Sequence, residues 1–193
     1  MFIVYELATG RVRWTCSISP DLTFDPALGS LQVADDAFVQ SDGSLRNAGG
    51  YIVVNGALAD RVATLGESRA AQTNAAVAHY NALIAAGFTY GGALFQIDSA
   101  AQANIAAMGV MALGSITDPA GSPWPAGFYW IAADNSHLPM DAAQMYAFGR
   151  AAGAYVSACV LRLRAIKDAI ASAPDQAALD AIDVTAGYPP AGV

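Results

Sequence analysis

Charged side chains are scarce in this sequence: Asp, Glu, Lys and Arg together make up 13% of 193 residues, against 55% hydrophobic residues. The surface of a small soluble monomer ordinarily carries about 25–35% charged residues. Something other than water is therefore expected to cover part of this surface, and a homo-oligomer or a larger assembly answers best. The nine basic residues are scattered and the net charge is −7, so no basic stripe is present to neutralise phosphates and nucleic acid is not an expected partner. Arg162, Arg164 and Lys167 form the densest basic group, read as the solvated or salt-bridged face of one helix.

Histidine and cysteine are nearly as scarce. His79 and His137 are single and remote from each other, and Cys16 and Cys159 fall in different modules. No pair stands at metal-ligand spacing, so no metal is expected. There is no Gly-x-Ser-x-Gly elbow, and neither cysteine has the surroundings of a nucleophile. Both phosphate-binding glycine patterns are missing, which leaves nucleotide binding without support. Neither a cofactor nor enzymatic activity is expected. Reduced thiols suit cytoplasmic synthesis, with Cys159 a buried structural thiol.

Two long stretches, residues 70–97 and 99–117, carry no charged side chain. Both are dominated by alanine and interrupted by Gln72, Asn74, Asn81, Gln96, Gln102 and Asn104, and Tyr90-Gly91-Gly92 breaks the first. A spanning helix wants about 20 predominantly apolar residues, so membrane insertion is not expected. Residues 1–6 show no basic region and no Ala-x-Ala site, so a cleaved secretory signal is not expected either.

What is present reads as α+β: a small N-terminal antiparallel β module over residues 1–58, then a mainly helical module over 60–193 with two short β-hairpins. In the first module Phe2-Ile3-Val4-Tyr5 and residues 12–18 flank Ala8-Thr9-Gly10 as a hairpin, and residues 19–29 form a loop. Leu31-Gln32-Val33 and residues 37–40 are expected strands, Ser41-Asp42-Gly43 a turn, and Tyr51-Ile52-Val53-Val54 a strand closed by the hairpin signal Asn55-Gly56.

From Asp60 the apolar period changes to about 3.6, which predicts a helix capped by Asp60, with stripe Val62, Leu65, Val77, Tyr80 and Ile84, ending before Gly87. An aromatic hairpin follows at 88–98, then a helix from Ser99 to about Leu113 and a Gly- and Pro-rich loop over 114–127. In that loop Pro123-Trp124-Pro125 holds a tryptophan as an exposed interface anchor. A second aromatic segment, residues 128–135, leads through 136–140 into a long helix from Asp141 to about Ala173. Its stripe runs Met145, Phe148, Ala152, Val156, Cys159, Leu163, Ile166 and Ile170. A short helix over 176–182 and an extended tail close the chain. Trp124, Met145, Phe148, Tyr155 and Val156 are the candidate interface residues.

Asp98 and Asp134 stand at the ends of the aromatic segments, where paired carboxylates across a groove could cleave a glycan. Helix caps and turns use these residue types far more often. Asp60, Asp98, Asp134, Asn135 and Asp141 are accordingly read as caps and turns, and His137 as a solvated or hydrogen-bonded turn histidine. The aromatic residues are expected to pack small sheets onto helices.

The order Phe88-x-Tyr90-x-Gly92-x-x-Phe95-x-x-Asp98-x-x-x-Gln102-x-Asn104-Ile105, followed by an aromatic strand ending Asp134-Asn135, resembles an uncharacterised domain. That domain recurs at the C-terminal ends of tailed-bacteriophage tail-fibre and tail-associated proteins. The resemblance covers about residues 60–190, and Asp141 stands where the family usually places threonine before the long helix. It implies a virion structural protein of the tail tip, tail fibre or baseplate, made and assembled in the host cytoplasm. The implied partners are itself, as a homotrimer, other tail or baseplate proteins, and a host surface glycan. A fibre-assembly chaperone is the second expectation and a host-glycan depolymerase the third.

Overall fold

The computed structural model describes residues 2–16, 20, 27–33, 51–55 and 57–192. The fold is α+β, with antiparallel strands first and then helices interleaved with short antiparallel hairpins. The chain divides into two compact units, Met1–Thr64 and Leu65–Val193.

In the first unit β1 (Phe2–Glu6), β2 (Val12–Cys16) and β3 (Leu28–Gln32) form an antiparallel sheet of order β2-β1-β3. The register runs Ile3↔Thr15 and Ile3↔Leu31, with an irregularity between Val4 and Tyr5 on the β2 side. β4 (Tyr51–Val54) and β5 (Ala57–Asp60) form an antiparallel hairpin, and Asn55, directly after β4, adopts a left-handed φ of 51° suited to a tight turn. Ile3, Val12, Tyr51 and Val53 are the buried core, flanked by Tyr5, Leu31, Val33 and Leu58. Gly10 lets the two hairpins meet. Its φ is +70°, its carbonyl accepts from Val53 N–H at 2.7 Å, and a Cβ there would overlap the Val53 carbonyl oxygen. The expected strand at 37–40 and turn at 41–43 lie outside the described residues.

Three boundaries differ from those read in the sequence, one being the end of the helix from Ser99, which runs on to Thr117. β3 begins at Leu28, inside the stretch expected to be loop. Asp60 does not cap a helix: it is the last residue of β5, opposite Tyr51, and α1 runs Leu65–Ala86. The hairpin zips residues 57–60 onto β4, so ladder hydrogen bonds claim a segment whose spacing also suits a helix. Val62, assigned to the helical stripe, is 87% exposed.

The second unit contains α1, the hairpin of β6 (Phe88–Tyr90) and β7 (Ala93–Phe95), α2 (Ser99–Thr117), the hairpin of β8 (Tyr129–Ile131) and β9 (His137–Pro139), α3 (Ala142–Ser172) and α4 (Gln176–Asp180). Gly87, at φ +88°, ends α1 in the left-handed conformation favoured after a helix. α3 is the hub: α1 and α2 both pack on it. One end of its apolar side, Met145, Phe148, Ala152, Tyr155 and Cys159, meets Phe88, Phe95, Ile97, Ile105 and Met140. The other end, Ile166 and Ile170, meets Ala76, Ala173 and Leu179. Gln72 donates to the carbonyls of Leu179 and Ile182 at 3.0 and 2.9 Å, and Arg69 Nη2 donates to the Ala173 carbonyl, tying α1 to the end of α3 and to α4.

The helix starts follow from capping chemistry. Asp98 accepts from Ala101 N–H at 2.9 Å, and Asp175 caps α4 in the same way through Ala178 N–H at 2.8 Å. Asp141 accepts from Gln144 N–H at 2.8 Å while Gln144 Oε1 accepts from Asp141 N–H at 2.9 Å, a complete capping box. Asp141→Ala is therefore expected to lower the stability of this unit by about 1 kcal/mol, and Asp141→Asn by less, measured by urea unfolding. An alanine variant as stable as the parent would remove the cap from the account.

Candidate functional site

The second hairpin turns at residues 132–136, within the end of the aromatic segment, and its returning strand β9 occupies the stretch read as the approach to the long helix. Asp134 Oδ1 accepts from Ser136 N–H at 2.9 Å, and Asn135 takes a left-handed φ of 65°. This chemistry reverses the chain, so Asp134 and Asn135 sit in the hairpin loop rather than at its end. Hydrogen bonds to Ser136 hold the Asp134 carboxyl below the usual carboxylate range. His137 is correspondingly a strand residue, its ring stacked on Tyr129 with centroids 4.0 Å apart and planes 14° apart.

The aromatic residues gather around Phe148, whose ring lies 4.8 Å from Phe95, 5.3 Å from Tyr90 and 5.8 Å from Trp130. Trp124 is a half-buried part of this cluster rather than an exposed anchor: its ring meets Phe128 edge-on at 4.8 Å, and its N–H donates to the Met140 carbonyl at 2.9 Å. Met145 and Phe148 are fully buried within the unit, and Tyr155 is 4% exposed. Of the five candidate interface residues, these three cannot present a surface, and Val156 is half-buried against the same core. The apolar side of α3 that the sequence offers for association is consumed by the chain's own α2 and hairpins.

The available surface lies on α2 instead. Only Ile105, Ala112 and Ser115 of its nineteen residues are buried, whereas Val110 is 72% and Met111 53% exposed, with Leu113 and Ile116 exposed beside them. α2 is also long and apolar enough, by length and composition, to cross a membrane. Between α2 and the second hairpin runs a groove of about 520 Å³. Its walls include Gln96, Asp98, Asn104, Met108 and the β8 residues Tyr129 and Ile131.

Main-chain geometry sets the character of this groove. Ala132 N–H donates to Ser136 at 2.9 Å and Met140 N–H to Phe128 at 3.1 Å. Antiparallel pairing alternates, so the main-chain groups of Phe128, Trp130 and Ala132 face β9, and those of Tyr129, Ile131 and Ala133 face the opposite edge. Ala133 N–H is taken by the Leu94 carbonyl at 2.7 Å. The N–H and C=O of Tyr129 and Ile131 open toward the groove with no protein partner among the described residues. The sequence reading missed this edge because it placed residues 136–140 in a turn. The Asp-Asn-Ser turn signal between Tyr-Trp-Ile and His-Leu-Pro was the feature that could have revealed it.

A second polar feature is buried. Among the described residues the buried Tyr155 and Tyr188 hydroxyls meet no nitrogen or oxygen partner, and the fully buried free thiol of Cys159 lies beside Tyr155. Burial first, then the neighbouring Cys159, push Tyr155 up to about 12 from 10.0. A tyrosine raised on folding favours the native state while both forms are neutral. That contribution is lost as pH climbs from about 10 toward 12, because the unfolded tyrosine ionises first. Tyr155→Phe should change neutral-pH stability by about 1 kcal/mol or less, since the hydroxyl gives up at most a weak contact with the Cys159 thiol. It should also flatten the alkaline fall in the urea midpoint across that window. An equal fall in both proteins would exclude Tyr155 as its source.

Asp98 and Asp134 are each engaged in a cap or a turn, and among the described residues no cluster of three or more His, Cys, Asp or Glu side chains is arranged to hold a metal ion. No curated protein and no solved structure matches the chain. The family described as a domain of unknown function, DUF4376, matches residues 67–186, from the first turn of α1 past α4. The match spans more than half of the sequence and falls within the helical second unit, so the chain belongs to the DUF4376 family.

Proposed function

We propose that the protein is a structural subunit of a bacteriophage tail, in the tip, fibre or baseplate, and that it assembles through the charge-free face of α2 as a homotrimer. The observation that carries assembly is the exposure of Val110, Met111, Leu113 and Ile116 on a helix with no charged residue from Ser99 to Thr117. Large exposed apolar patches mark interaction sites, and water gains nothing from covering this one. The tail assignment rests on the residue pattern through Phe88, Tyr90, Phe95, Asp98, Gln102 and Asn104. A protein partner suits α2 better than a lipid bilayer, because Ile105 and Ala112 are buried in its packing and Gln102 and Asn104 interrupt its apolar surface.

Quantitative mass spectrometry of purified particles tests the proposal. A virion subunit appears at a fixed, stoichiometric copy number. Abundance in infected cells with absence from particles would overturn the structural role and favour an assembly chaperone.

A further inference from the structure

We propose that the groove between α2 and β8 binds an extended peptide segment of a partner protein by adding it as a third strand to the second hairpin. The site presents two N–H donors and two C=O acceptors, from Tyr129 and Ile131, at alternate positions of one strand edge. Alternate residues of a strand are about 6.7 Å apart, the repeat with which another extended main chain offers its own groups. A strand added here continues a pairing the protein has begun, because Leu94 already bonds Ala133 on the same edge and β7 ends at Phe95.

The first hairpin shows the same mode of pairing. Its Thr89 N–H donates to Ala191 at 2.9 Å, and Thr89 bridges Gly192 in parallel, so an extended segment of this chain's own tail lies along β6. The edge of β8 is the corresponding place on the second hairpin, without such a segment among the described residues.

The lining specifies the peptide. Ala100, Ala107 and Met108 of α2 give an apolar wall for side chains at alternate positions, and Gln96 and Asn104 offer amides along the path. Asp98 is the one charged residue among the lining residues, and only its Oδ1 is engaged in the cap. With a net charge of −7 on the chain, this favours a peptide of alternating apolar residues with a lysine or arginine placed toward Asp98. The inference does not depend on the tail assignment, since it follows from the strand edge and the groove.

Selection from an mRNA-displayed library of random heptapeptides against the full chain supplies the ligand. The expected winners alternate apolar residues and carry a basic residue. On binding, the Tyr129 and Ile131 amides should shift in the NMR spectrum and become protected from hydrogen exchange. Ile131→Pro deletes one groove-facing donor without removing a bond to β9, and should weaken binding about tenfold or more. The same peptide N-methylated at alternate residues should lose affinity for the unaltered protein, a result independent of how the proline variant folds. Failure to enrich such peptides, affinity indifferent to N-methylation, or perturbations mapping away from Tyr129 and Ile131 would overturn the proposal. Saturable binding of a neutral oligosaccharide in the groove without peptide binding would overturn it too.

Discussion

Phe148→Ala should destabilise the second unit by about 3–5 kcal/mol, the largest loss expected from any single truncation here. Phe148 is fully buried and touches four elements at once: its ring packs on Tyr90 from β6, Phe95 from β7 and Trp130 from β8 while its backbone belongs to α3. Those neighbours are rigid rings on short strands, so a void left there collapses poorly. Urea unfolding followed by far-UV circular dichroism reads the loss directly. The peptide groove should suffer as well, because β8 is held to the core through Trp130. A loss under about 1 kcal/mol would mean the hairpins do not depend on this contact.

Ile166→Ala should cost about 2–5 kcal/mol. The side chain is 1% exposed and packs with Ala76 of α1, Ile170 and Leu179, joining three helices at the far end of α3. Leu163, which the apolar spacing places in the middle of the stripe, is only half-buried. Leu163→Ala should cost about 1–2 kcal/mol, as expected for side-chain area only partly removed from water. Arg164 is well exposed and pairs with Asp168 one turn on, at 2.9 Å, so Arg164→Ala should change stability by about 0.5 kcal/mol or less. Equal losses at Ile166 and Leu163 would mean that the phase of α3 differs from the one described.

The sequence made long-range features of α3 legible and short-range ones less so. Met145, Phe148, Ala152, Cys159, Ile166 and Ile170 recur at helical spacing over about seven turns, and all are buried. The phase slips at adjacent positions. Tyr155, with its polar tip, looks less apolar than Val156, yet its ring lies 5.3 Å from Phe88 and its hydroxyl is buried beside the Cys159 thiol. Packing outweighed the polar group at that position. Caps at Asp98 and Asp141 are local chemistry and could be read from one residue and its neighbours.

The candidate interface could not be read, because apolar spacing says which face of a helix is buried but not by what. On α3 the chain itself supplies the cover. On α2 the alanine-rich composition gives no marked apolar stripe, so the exposure of Val110 and Met111 emerges only once Ile105 and Ala112 are seen against α3. Arg162, read as part of a solvated or salt-bridged face, also donates to the Ala186 carbonyl at 2.8 Å, a contact twenty-four residues distant in sequence that spacing alone does not show.

Sedimentation velocity on the intact protein and on a Val110→Glu, Met111→Glu double variant tests the assembly claim most directly. Both side chains are exposed, so the double variant should keep its circular dichroism spectrum and unfold within about 0.5 kcal/mol of the parent. The account predicts a trimer for the parent at micromolar concentration and a folded monomer for the variant. A parent that stays monomeric across the concentration range, or a variant that assembles as well as the parent, would contradict it.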